Sequence, residues 1–271
     1  MSVNQIDVNA VNQRTLESSI QRPLVFLDVE ATGIDEEDRL VQVAYRPQQG
    51  LTTMAYFKAP LPVKLTAMAV NNITNRMLED KPNFIGSSHW DELKGLSMTH
   101  ILVAHNAPYD VDMLKKESIV FDKTICTLKL AHFLDEECKL EKHNLSYLRY
   151  YFDIDIDAQA HDAAGDIRIL EAVFWKLADL LRVKYFLDSD AEVIAKMVDI
   201  SSKPTLFRKF NFGKYSGHFV RDVAENKVPD GKGRDWMKWL LGEKMNNPSG
   251  QEADWIYTLN YYLNAYEPAS R

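Results

Sequence analysis

The sequence predicts an α/β protein in which a mixed sheet is flanked by helices and followed by a small C-terminal module. Three observations predict it. PLVFLDVEA, Pro23 to Ala31, is a compact apolar run that stops at Thr32-Gly33, as a buried strand ending in a turn does. LVQVAYRP (Leu40 to Pro47) and LTTMAYFKAP (Leu51 to Pro60) are β-rich runs joined by Gln48-Gln49-Gly50, the pattern of a hairpin. From Ala163 onward, Ile167, Leu170, Phe174, Leu177 and Leu181 recur at helical spacing.

Taken in chain order, residues 1–21 are polar and read as an N-terminal arm outside the core. The first three strands form an antiparallel meander. THILVAHN holds a further buried strand around Ile101 to Ala104, VDMLKKE reads as a helix, and TICTLKLAHFL from Thr124 as a strand passing into a helix. A meander followed by strands alternating with helices makes a mixed sheet. After Asp188 the character changes, and a polar stretch leads into FNFGKYSGHFVRDVAEN and KVPDGKGRDWMKWLL. The expected division is an arm at 1–21, a main domain at 22–188 and a basic, aromatic domain at 189–271.

Composition narrows the class. The chain has 271 residues, 46% hydrophobic and 26% charged, enough for a packed core of ordinary make-up. A net charge of −7 argues against holding nucleic acid by an overall field, though not against a local basic strip or bound metal. Charge is uneven: Ser201 to Leu240 carries nine Lys/Arg against four Asp/Glu, a local +5 that leaves −12 elsewhere. Cys126 and Cys138 are the only cysteines and have no zinc-type spacing, so a reducing compartment is expected. The first twenty residues lack the apolar block of a signal peptide, and no run approaches the ~18 apolar residues of a membrane span. A cytoplasmic protein with no membrane partner is expected.

The chemistry lies in the carboxylates. Asp28 and Glu30 stand two apart at the end of a strand, so both project to one side. Paired carboxylates in an apolar strand repel each other and lose hydration unless a cation neutralises them. Taken alone, the pair also fits two solvated charges at a strand end. Asp110 follows a second apolar strand in VAHNAPYD, and Asp166 opens the helix that begins near Ala163. Asp166 alone would suit a favourable charge at a helix N-terminus. Together, four carboxylates on separate elements suit two divalent metals ~3.5–4 Å apart, which stabilise the attacking and leaving oxygens of a phosphoryl displacement. His161 precedes Asp166 by five in AHDAAGD, and a histidine titrating near neutrality can take the proton of an attacking water.

LDVEATG, AHNAPYD and HDAAGD resemble, in order and spacing, the three motifs of the DEDD family of 3′→5′ exonucleases. The H-x4-D form of the third motif is similar to the DEDDh branch, which uses histidine where the other branch uses tyrosine. AMAVNNITNRMLEDKP, ICTLKLAHFL and FNFGKYSGHFVRDVAEN extend the resemblance, towards the bacterial exonuclease X group, from about Pro23 to the C-terminus. The resemblance implies a ribonuclease-H-like fold, Mg²⁺ as cofactor (two per site, with Mn²⁺ also suitable) and DNA 3′ ends as the partner. It implies that Asp28, Glu30 and Asp166 hold one metal, with Asp28 bridging to a second that Asp110 binds directly or through water. His161 would be the general base. Ala31, Thr32, Gly33 and Ile34 would contact the terminal nucleotide, His105 and Asn106 would line the pocket, and Met68 and Ile73 would stack on the last bases. For Met68 and Ile73, inward packing is the alternative. Val29 and Ala31 stand where threonine is common in the family, and Tyr109 where phenylalanine is.

The C-terminal module interleaves cations with Phe207, Phe210, Phe212, Tyr215, Trp236 and Trp239, as a single-strand binding surface would. A small domain also needs its aromatics for a core. Trp236 and Trp239, three apart, are expected to share an inward helix face, and the lysines to face a phosphate backbone. DIDID at 153–157 lacks the Gly and Glu of a calcium loop, and Gly213-Lys214 lacks P-loop spacing. Two rival functions are the same chemistry on RNA and a catalytically idle domain that binds nucleic-acid ends or a polymerase.

Overall fold

The computed structural model describes residues 22–156, 163–246 and 252–266; the expected N-terminal arm lies outside them. The main sheet has five strands: β1 (Leu24–Ala31), β2 (Leu40–Pro47), β3 (Thr53–Tyr56), β4 (Ile101–Ala104) and β5 (Thr124–Cys126), in the order β3-β2-β1-β4-β5. β1, β2 and β3 are the antiparallel meander, and β1, β4 and β5 run parallel. The expected mixed sheet flanked by helices is present.

β1 is central because its sequence is apolar on both faces, which a strand covered on both sides requires. Leu27, Val29 and Ala31 enter a core with Tyr45, Phe57, Leu93 and Met113. On the other face Phe26 meets Phe174 edge-to-face, ring centroids 5.4 Å apart. Phe174 belongs to the long helix that the apolar spacing predicted, Ala163–Tyr185. Helices Leu65–Asn71 (α1), Asn75–Leu78 (α2) and Ser88–Thr99 (α3) follow β3, and Ala107–Lys116 (α4) joins β4 to β5. Thr127–Leu134 (α5) and Leu145–Tyr151 (α6) precede the long helix, α7, and Asp190–Ser201 (α8) follows it.

The described chain forms two compact units, one of residues up to Leu130 with Lys142–Ser201, the other of Ala131–Glu141 with the residues from Ser202 onward. This differs from a break at 189. In α8, Val193, Ile194, Met197 and Ile200 are buried, and Ser201 Oγ accepts from the Cys126 backbone N–H at 2.9 Å, which fastens the helix to the end of β5. The polar residues after Asp188 are a helix start, not a linker. In the second unit, Ala131–Glu141 packs through His132, whose ring meets Phe207 edge-to-face at 5.0 Å.

That second unit contains Val220–Ala224 (α9), Gly233–Asn246 (α10) and Ala253–Ala265 (α11). Its aromatics form its core: Phe210 stacks on Trp255 at 5.2 Å, and Trp236 meets Phe210 at 5.2 Å and Tyr215 at 5.0 Å. Trp236 therefore packs inward as expected, but Trp239 is 58% exposed, so the two do not share a buried face. The cations are partly committed within the unit. Arg234 is buried and its guanidinium donates to the carbonyls of Leu263 and Tyr266, closing the C-terminus of α11. Lys214 pairs with Asp230, and Lys244 with Glu252. Among the described residues no helix is long and apolar enough to cross a membrane.

Candidate active site

β1 carries Asp28 and Glu30 on one face, both partly buried, while Val29 and Ala31, which alternate with them, are buried on the other. The β1–β2 register shifts by one between Glu30 and Ala31, an irregularity that re-aims side chains at a strand end. β1 also outruns its parallel neighbour. Its pairing with β4 covers Leu24 to Phe26 opposite Ile101 to Val103. Continuing that register would set Asn106 against Val29, but Asn106 takes a left-handed conformation (φ 66°) and turns the chain into α4. Asparagine tolerates this better than most residues. The Val29 N–H, unpaired by β4, donates to Asp110 Oδ1 at 3.1 Å.

The third element is α7, which begins at Ala163 with Asp166 in its first turn. Arg46 of β2 anchors the helix by pairing with the buried Glu171 at 2.8 Å. The four carboxylates sense one another. Burial raises the Asp28 carboxyl to about 7, and the charges of Glu30 and Asp166 add to the rise. Asp110 is also pushed well above the usual carboxylate range, by burial first and by Asp28 next, against the relief of the Val29 N–H. Among the described residues no three His, Cys, Asp or Glu side chains stand close enough to hold an ion as they are placed. The donor set nonetheless suits a hard divalent cation: oxygen ligands only, anionic, and raised in free energy by mutual repulsion.

The span from Val25 to Phe174 matches the family model described as RNase_T: Exonuclease. The chain belongs to this exonuclease family. Asp28, Glu30, Asp110, His161 and Asp166 all fall inside the matched span. Exodeoxyribonuclease 10 of Escherichia coli K12 is 28% identical over 204 residues, which cover 74% of this exonuclease and 80% of that protein. DNA polymerase III subunit epsilon of Treponema pallidum is 28% identical over 162 residues, 54% of this chain and 72% of that one. Among solved structures, exonuclease X in complex with 5′ overhanging duplex DNA superposes with a TM-score of 0.46 at 20% identity, covering 66% of this chain and 99% of that one.

The remaining sequence-predicted residues of the exonuclease separate into several groups. His161 lies outside the described residues. Ala31 and Thr32 are fully buried, and the Thr32 hydroxyl is given to Asp38 Oδ1 at 2.8 Å, so neither side chain faces outward. Gly33 is buried, and Ile34 is 78% exposed at the tip of the loop. Ile73 is buried with Val41, Val63 and Leu78, and Met68, partly buried, packs against the same cluster. His105 does not open onto solvent as a pocket wall would. Its Nδ1 is 2.9 Å from Thr127 Oγ1, whose hydroxyl also lies 3.3 Å from the Ala104 carbonyl. Burial holds the His105 ring neutral by lowering its pKa to about 4.

Two residues escape sequence reasoning. Tyr109, beside Asp110, has its phenol pushed far above the ordinary range by burial and then by Glu30, Asp110, Asp28 and Asp38, which places it against the carboxylate cluster. Asp38 is fully buried, although in the acidic run DEED it looks like one solvated charge among four. The one available signal was its place just before the apolar β2.

Proposed function

We propose that this exonuclease removes nucleotides one at a time from the 3′ end of DNA, releasing nucleoside 5′-monophosphates. What carries the reading is the mutual electrostatic strain of Asp28 with Glu30, Asp166 and Asp110 at the open edge of β1. That edge lies at the C-terminal end of a strand where the sheet changes from antiparallel to parallel, a place α/β proteins use for ligands. The motif order supports the 3′→5′ direction, and the name of the Escherichia coli relative supports DNA as the polymer.

Asp28, Glu30 and Asp166 would hold a divalent metal, Mg²⁺ or Mn²⁺, with Asp28 and Asp110 on a second. When bound, such ions supply a water nucleophile at neutral pH and neutralise charge on the scissile phosphate. The chain's own residues do the rest. His161 accepts the proton of the attacking water, and a ring with ordinary imidazole basicity suits that task near pH 7. Asp110 is held in place by the Val29 N–H.

Digestion of 5′-labelled single-stranded DNA, duplex DNA and RNA, with Mg²⁺ or with EDTA, tests the reading. A descending ladder on DNA that vanishes in EDTA is expected. Asp28→Asn should lower kcat at least about 10²-fold, since it removes charge from the metal and strands the water. No metal-dependent shortening of any polymer by the wild type sinks the proposal, and a faster ladder on RNA moves the substrate to RNA.

A further inference from the structure

The loop between Glu30 and β2 is held by a buried ionic hub. The Asp38 side chain is 0% exposed. Its Oδ1 accepts from the Thr32 hydroxyl at 2.8 Å, and its Oδ2 accepts from the Asp35 backbone N–H at 2.7 Å and from Lys64 Nζ at 2.6 Å. Lys64 also pairs with Asp35 at 2.6 Å, and its own backbone N–H donates to the Thr32 carbonyl at 2.9 Å. From a third element, Lys116 at the end of α4 donates to the Asp35 carbonyl at 2.8 Å. The loop is thus tied to the segment entering α1 and to the helix that bears Asp110. Gly33 fits against this hub because it lacks a side chain: a Cβ there would stand 2.4 Å from Asp38 Oδ2.

Burying a carboxylate costs hydration that an ion pair returns only in good geometry, and apolar residues would stabilise a loop as well. What the arrangement adds is a single fixed shape. It also neutralises part of the acidic run Asp35 to Asp38, which otherwise would repel a phosphate backbone beside four further carboxylates. Burial alone would raise the Asp38 carboxyl, but the hydrogen bonds from Lys64, Thr32 and Asp35 outweigh it and hold the group ionised.

We propose that Asp38 and Lys64 are positioning residues that lock the 32–38 loop in the conformation the terminal nucleotide meets. This rests on the exonuclease function proposed above, through the nucleotide contact expected of Ile34, which stands 78% exposed on this loop. The pair acts on binding: the ion pair fixes the loop before substrate arrives, so its loss is felt as an ordering cost at each encounter.

Steady-state digestion of 5′-labelled single-stranded DNA by the full chain, with amide hydrogen exchange of residues 32–38, tests this in Lys64→Met, Lys64→Arg and Asp38→Asn. Lys64→Met should raise KM about tenfold and leave kcat within about twofold, the signature of lost uniform binding. Exchange in the loop should quicken while the exchange of β1 and the melting temperature stay near wild type. Lys64→Arg should restore most of the affinity, and Asp38→Asn should raise KM with Lys64→Met or beyond it. An unchanged KM with unchanged loop exchange overturns the proposal, as does a parallel fall in kcat, KM-independent, with a lowered melting temperature. If the wild type shortens no polymer, the proposed function fails. Loop exchange still decides the clamp, which is refuted if Lys64→Met leaves it at the wild-type rate.

Discussion

His105 shows how far a residue's setting can depart from its motif. It sits among the residues between β4 and α4, where a pocket-lining role was expected, yet its ring is enclosed and hydrogen-bonded to Thr127. With its pKa lowered to about 4 in the folded state against an ordinary 6.5, only the unfolded chain takes up this proton between those values. Stability from this group is therefore present above about pH 6.5 and is lost as pH falls towards 4, by on the order of 3 kcal/mol at most. Urea unfolding of wild type and His105→Gln across that window should show a steeper acid loss in the wild type. Parallel curves would mean that the ring is accessible. The carboxylates that feel one another in the fold were legible because Asp28 and Glu30 break an apolar strand, Asp110 follows another and Asp166 opens a helix with an apolar stripe. Thr32, Ile73 and Asp38 were not, since nothing in a single sequence says which of several similar neighbours the fold will enclose.

At the scale of elements, α7 matters most, because it carries Asp166 and is packed along its length by buried residues from Ala163 to Leu181. Glu171 is buried, its carboxyl raised by burial in spite of Arg46, so the pair resists separation. Arg46→Met leaves an unpaired buried carboxylate and should cost about 3–5 kcal/mol, whereas Arg46→Met with Glu171→Gln should recover most of that. Chemical denaturation of the single and double variants measures it; equal losses in both would show that packing of α7, not charge, is at stake. The strands and α7 could be read from the chain because apolar periodicity is a direct image of burial. The helices α1 and α2 could not. Leu65 and Val70 of α1 are exposed, and α2 spans four residues with a single buried side chain, so neither carries a legible stripe.

At the scale of the whole molecule, the two compact units follow contacts that a composition profile does not reveal. Polar residues around 189 suggested a boundary, but α8 continues the first unit, and a short excursion at Ala131–Glu141 belongs to the second. Chains ending at residue 201 and at residue 189 should therefore differ sharply. The shorter one loses the four buried apolar side chains of α8, at ~1.5–3 kcal/mol each, and should melt far below the longer one or fail to fold. Indistinguishable melting curves would return the boundary to 189. The aromatics of the C-terminal module, which suited either a single-strand surface or a core, are used mainly to build its core.

The short length of β4 has a consequence for how this centre can be altered. A sheet that ran two residues further would close the edge of β1, and the Val29 N–H would find a backbone partner in place of Asp110. The open edge of β1 is in this sense a truncated ladder, and the left-handed Asn106 is the point of truncation. A substitution there that favours extended backbone, such as Asn106→Val, would act on chemistry by lengthening a strand, over and above the loss of the Asn106 side chain itself.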